Sequence, residues 1–138
     1  MTSRDERAAR ADFAERYAVP GGDANARIER EVIGAIWGAN GYTTVAQADE
    51  LGRRLELRPG SRLLDVGTGR GWPGLYLATR TGCAVVGTDM PTEGLAVARR
   101  RAQAEGIDAR TGLAVAAGTA QPFRAASFDA VVLTDVLC

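Results

Sequence analysis

The sequence contains no histidine. That removes the commonest general base, the commonest metal ligand and any Ser–His or Cys–His nucleophile pair. Chemistry carried by this chain must therefore need little proton transfer, or draw on carboxylates or tyrosine. Cysteine is scarce too. Cys83 and Cys138 are too few for a disulfide framework and lack metal-type spacing, so no metal is expected. Cys83 leads into an apolar strand and reads as a buried structural thiol. Net charge is absent, because 17 basic and 17 acidic residues cancel. A nucleic-acid binder usually shows a basic excess or stripe, since phosphate neutralisation dominates its affinity. The one short run, Arg99 to Arg101, lies on a predicted helix as a solvated face, and no nucleic-acid partner is expected. No stretch approaches the ~18 consecutive apolar residues of a membrane span. The opening "MTSRDERAAR" has no apolar core of a secretory leader. These absences together describe a cytoplasmic protein with no membrane partner.

What is present suits one domain: 138 residues, 46% apolar and 25% charged. Ser3 with Glu6 forms a capping box that opens a helix running to about Tyr17, with Phe13 and Tyr17 four apart on its face. "VPGGD" breaks the chain, and Asp23 is expected to cap a second helix. Ile28, Val32, Ile33, Ile36 and Trp37 fall at helical spacing on it, and "GANG" at 38–41 supplies its C-cap. Thr44 with Gln47 is another capping box, ahead of a third helix with Val45, Ala48, Leu51 and Leu55 on its buried face. After the turn "RPGS" (58–61) the grammar becomes strand, loop, helix. "RLLDV" (62–66) is a strand, and a helix runs from about Pro73 to Arg80. "AVVGTD" (84–89) is a second strand, followed by a helix from about Thr92 to Glu105 that buries Leu95, Ala98 and Ala102 and ends at Gly106. "LAVAA" (113–117) and "FDAVVLTD" (128–135) complete the set. Alternation of this kind predicts an α/β fold, a parallel sheet with right-handed crossovers. The expected division is a helical cap over 1–58 and a Rossmann-like unit over 59–138.

The most informative stretch is "LLDVGTGRGWPG" at 63–74. Gly67, Gly69 and Gly71 spell G-x-G-x-G, whereas Gly69, Gly71 and Gly74 spell the dinucleotide pattern G-x-G-x-x-G. Either way, the loop leaves a buried strand and enters a helix, so backbone N–H groups and the helix dipole face it. Asp89 ends the next strand, 20 positions after Gly69, where a ribose diol can donate to it. Both spacings therefore point to an adenosine-type ligand. Asp65 favours the first. A buried acid needs a positive or donating partner; it would repel a pyrophosphate and attract the ammonium of a methionine moiety. Bulky Arg70 and Trp72 crowd the same tight turn.

Together, "LLDVGTGRGWPG", "VVGTDMP" and "PFRAASFDAVVLTDVL" resemble the ordered motifs of class I S-adenosylmethionine-dependent methyltransferases, closest to the small-molecule branch. The resemblance covers about residues 60–138 and implies a sheet in the order 3-2-1-4. It also implies S-adenosyl-L-methionine as cofactor and a small-molecule acceptor. Asp65, Gly67, Thr68, Gly69 and Gly71 would hold the methionyl part, Asp89 the ribose, and Met90 would pack on adenine. Asp135 would face the transferred methyl. The family often places an acid before the Pro-Phe pair to bind the adenine amino group; "AAGTAQPF" has none, and Thr119 or Gln121 is expected to substitute. The chain also stops after the fourth strand of a usual seven, which implies a truncated form.

Direct displacement from a sulfonium tolerates the missing histidine, because aligning donor and acceptor supplies ~7–11 kcal/mol of barrier reduction. Where a proton must leave, Asp135 or Tyr42 is the candidate base. Tyr42, Trp37 and Trp72 are candidates to line the acceptor site, Trp72 ahead of Trp37, which reads as core. A second reading is a non-catalytic or partner-completed remnant of the fold, and a third is a nicotinamide-dinucleotide oxidoreductase. The open apolar edge at "AVVL" is a pairing liability, to be covered by a second copy, by the N-terminal helices or by another chain.

Overall fold

The computed structural model describes residues 4–19, 21–39 and 41–136. The Ser3–Glu6 capping box and Cys138 lie outside these residues, as does the side chain of Glu6. Four parallel strands form one sheet in the order β3-β2-β1-β4. β1 (Arg62–Val66) is central, pairing with β2 (Ala84–Asp89) from Arg62↔Ala84 to Val66↔Thr88 and with β4 (Ala130–Val132) from Leu63↔Ala130 to Asp65↔Val132. β3 (Thr111–Val115) pairs with the far side of β2. A strand covered on both faces reads as a continuous apolar run, and Leu63, Leu64 and Val66 are all buried.

The crossover helices are α4 (Gly74–Thr81) and α5 (Thr92–Ala104). α4 buries Leu75, Leu77 and Ala78, and α5 buries the expected Leu95, Ala98 and Ala102. Cys83 is fully buried with Leu63, Leu77 and Val85 in one core cluster. Burying side chains of Leu or Val size contributes roughly 1.5–3 kcal/mol each, which makes this cluster the anchor of everything mounted on the strand ends.

Three helices precede the sheet: α1 (Arg4–Ala18), α2 (Asp23–Val32) and α3 (Val45–Arg54). The Thr44–Gln47 capping box of α3 is complete in both directions. α2 departs from expectation at both ends. Gly22, not Asp23, is its N-cap residue, and no side chain caps it. It ends at Val32, one turn before Trp37, because Gly34 takes φ 94°. Glu29 then serves the released segment, its Oε1 accepting from the N–H groups of Trp37 (2.6 Å) and Ala39 (3.0 Å). Two strands also shift. β3 begins two residues early, directly after a 3-10 turn at Asp108–Arg110, and β4 keeps only three residues of the expected eight. Beyond Val132 the backbone leaves the ladder, and Asp135 adopts a left-handed φ of 57°.

Candidate active site

The glycine loop hangs between the C-terminal ends of β1 and β2. The N–H groups of Gly67 and Thr68 both donate to the Thr88 carbonyl, at 2.7 and 3.0 Å. Gly71 N–H donates to the Thr68 carbonyl, and Gly69 N–H to Asp89 Oδ2 at 2.7 Å. Positive φ at Gly67, Gly69 and Gly71 (74°, 54° and 100°) makes this path possible. At Gly69 there is a second constraint: a β-carbon would lie 2.7 Å from the Tyr17 hydroxyl.

Two carboxyl groups line the loop. Asp65, only 1% exposed, accepts on Oδ2 from Thr68 Oγ1 (2.7 Å) and from Gly74 N–H (3.0 Å). Its Oδ1 is buried with no partner. Burial pushes the Asp65 carboxyl up to about 7 against the pull of the Thr68 and Gly74 donors, and the Asp89 charge adds to the rise. Gly74 opens α4, and a β-carbon there would lie 2.5 Å from Asp65 Oδ2. This glycine makes room for the acid. Asp89 is half-buried and accepts Gly69 N–H on one oxygen and Met90 N–H (2.8 Å) on the other. Burial raises its carboxyl, and those two donors only partly offset it. Each oxygen keeps a lone pair for a further donor.

The segment after β3 touches the end of β2 through Ala116 N–H to the Asp89 carbonyl (3.1 Å). It carries the two residues expected near adenine. Thr119 is exposed. Gln121 is half-buried, its Nε2 donates to the Ala117 carbonyl (2.8 Å), and its Oε1 is buried without a partner.

Asp135 does not stand free. Its Oδ2 accepts from Thr43 N–H (3.1 Å) and Thr43 Oγ1 (2.8 Å), and the Tyr42 N–H adds a third donor. Partial burial pushes its carboxyl up, but these donors outweigh it and hold it below the usual value. Gly41 is glycine where any β-carbon would strike this carboxylate. Tyr42 is 82% exposed. It lines a cavity of about 1080 Å³ between α1, α2 and α5, together with Tyr17, Ile33, Val97 and Arg70. Trp72 is not part of that wall. It is 6% exposed and packed with Trp37 and Tyr76, and its indole N–H donates to the Thr43 carbonyl (3.0 Å). The expectation that Trp72 faces an acceptor is corrected: a large apolar ring beside β1 joins the core. Arg101 also departs from a plain solvated face, since it stacks 4.8 Å over Trp37 and donates to the Ile36 carbonyl.

The arrangement therefore offers two carboxylates and an orphaned amide oxygen, and it offers little to an anion. Four of the loop's N–H groups, those of Gly67, Thr68, Gly69 and Gly71, already have protein acceptors and are not free for an anion. Two contributors were hidden in the sequence. Tyr17 and Thr43 reach the site from 52 and 92 positions away, measured to Gly69 and Asp135. Nothing local marks either one.

Comparison with known proteins identifies the family. Residues 63–138 match the family described as "Methyltransferase domain". The chain is 36% identical over 83 residues to methyltransferase GfsG of Streptomyces halstedii, covering 60% of this chain and 30% of that protein. It is 32% identical over 114 residues to 27-O-demethylrifamycin SV methyltransferase of Amycolatopsis mediterranei, covering 73% and 42%. It thus spans less than half the length of either relative. A crystal structure of an S-adenosylmethionine-dependent methyltransferase from Geobacter sulfurreducens, in complex with S-adenosyl-L-homocysteine, superimposes with a TM-score of 0.53 at 28% identity, covering 72% of this chain and 37% of that one. A strand order, a carboxylate-lined glycine loop and a family match over more than half the residues converge, and the chain belongs to the methyltransferase domain family.

Proposed function

We propose that this protein binds S-adenosyl-L-methionine and takes part in methyl transfer to a small, largely apolar organic acceptor. The observation that carries the proposal is the loop itself. Four of its N–H groups are spent internally and its lining is two carboxyl groups, one with a buried orphan oxygen. That lining suits an ammonium and a ribose diol and repels a pyrophosphate, which disfavours the nicotinamide reading.

When bound, the cofactor supplies an electrophilic methyl group: the acceptor atom bonds to the methyl carbon, the carbon–sulfur bond breaks, and sulfur keeps the electron pair. The chain's own residues bind and orient. Asp65 Oδ1 takes the methionyl ammonium, and Thr68 acts through Asp65 by donating to its other oxygen. Gly67 and Gly69 let the backbone approach. Asp89 accepts the ribose hydroxyls and Met90 packs on adenine. Gln121 takes the adenine amino group in preference to exposed Thr119, because its Oε1 is the buried acceptor without a donor. Asp135, already holding three donors, anchors segment 41–44 and so sets Tyr42 at the cavity mouth. Tyr42 is then the hydroxyl placed to relay a proton from the acceptor. The cavity's apolar wall includes Ile28, Val32 and Ile36 of the α2 side, which supports an apolar acceptor. The naming of the Amycolatopsis relative for a small organic acceptor supports that class.

The test is transfer of an isotope-labelled methyl from S-adenosylmethionine into an organic extract. Incorporation that falls at least tenfold in Asp65→Asn is expected. Tight cofactor binding with no incorporation would replace catalysis with a remnant or partner-completed module.

A further inference from the structure

The first helix lies along α5 but buries few of its own side chains there. Of its described side chains only Tyr17 is buried, and the rest are exposed apart from half-buried Ala14. Helices in proteins owe most of their stability to a packed apolar face, and α1 has almost none. Besides its packing on α5 it meets Arg70, the middle residue of the glycine loop. Arg70 Nη2 lies 2.7 Å from the Arg16 carbonyl, 3.1 Å from that of Tyr17 and 2.8 Å from that of Val19. The first two are among the carbonyls a helix leaves unpaired at its C-terminus and the third lies just past its end, and a cation there also meets the negative end of the helix dipole. The guanidinium sits 5.8 Å over the Tyr17 ring, while the Tyr17 hydroxyl lies against Gly69. Gly94 of α5 is glycine because a β-carbon there would lie 2.9 Å from both the Gly69 carbonyl and Tyr17. Loop, helix end and α5 thus meet around one tyrosine.

We propose that Arg70 is a positioning residue that latches α1 onto the glycine loop, so that occupancy of the loop and docking of α1 are coupled. The coupling follows from adjacency. Arg70 is flanked by Gly69 and Gly71, whose positive φ angles set the direction of its side chain. A loop held in this path by a bound cofactor presents the guanidinium to α1, and a loop that relaxes withdraws it. Docked α1 in turn covers Gly69 with Tyr17 and slows exchange of whatever lies on the loop. The proposal rests on the cofactor reading above, and the two are separable by experiment.

Amide hydrogen exchange on the 138-residue chain, with and without S-adenosylhomocysteine, reads both. Arg70→Ala without ligand should exchange residues 4–18 roughly tenfold faster, as loss of charged hydrogen bonds predicts, while β1 and β2 exchange as before and serve as the folding control. Arg70→Lys should recover part of the protection. The ligand should slow exchange over 4–18 in the unaltered chain and not in Arg70→Ala, whose ligand should also dissociate faster. Equal protection of α1 in the unaltered chain and in Arg70→Ala would overturn the latch. Ligand that binds but leaves α1 unchanged would overturn the coupling. Failure of the ligand to bind the unaltered chain would overturn the cofactor reading, while leaving the ligand-free comparison to judge the latch.

Discussion

Asp65 shows how one residue can carry a site. Its carboxyl is buried at the end of a strand, close to a second carboxyl, with one oxygen left unpaired. Burial raises it from 3.8 to about 7, so the folded chain holds a proton that the unfolded chain has lost across that window. The folded state then binds more protons, and stability falls as pH rises from about 4 to about 7. Asp89 is raised as well and pushes in the same direction. Urea unfolding between about pH 5 and pH 7.5 should show this decline, and Asp65→Asn should flatten part of it while raising stability at neutral pH. A stability that climbs over this range would mean that Asp65 is paired rather than stranded. Both acids and the G-x-G-x-G loop were readable from the sequence because their partners are near in the chain: Thr68 and Gly74 lie three and nine residues from Asp65. Arg70 was readable only as an oddity, a bulky cation among glycines, because its acceptors are more than 50 positions away.

Elements differ in the same way. β1 and β2 fall where the apolar runs place them, since each short strand carries three β-branched or leucine residues. β4 is cut short because Asp135 is drawn to Thr43, a contact no local pattern encodes. The end of α2 was misplaced for a related reason. Ile36 and Trp37 keep helical spacing, but a glycine in a left-handed conformation ends the helix before them and Glu29 satisfies the segment beyond. The α3 start, by contrast, is written in two residues three apart. Thr44→Ala should remove the capping box and cost about 1 kcal/mol, read as a lower urea midpoint. Tyr42 and Thr43 adjoin that cap, so the methyl-transfer rate should fall with it if segment 41–44 shapes the acceptor site.

At the scale of the whole molecule, the sheet ends on an incompletely covered edge. Val131 and Leu133 are 49% and 48% exposed, and among the described residues nothing shields them further. Unpaired strand edges of this kind recruit other chains. We expect sedimentation velocity to show concentration-dependent association, weakened by Val131→Lys; a monodisperse monomer at all concentrations would contradict it. The central claim, however, concerns the loop: a site lined by carboxyl groups with four of its N–H donors spent selects an adenosyl ligand bearing an ammonium over a dinucleotide. Calorimetric titration of S-adenosylhomocysteine against NADH tests it most directly. The account predicts saturable binding of S-adenosylhomocysteine, weakened at least tenfold in Asp65→Asn, and no measurable binding of NADH. Preferential binding of NADH would contradict it.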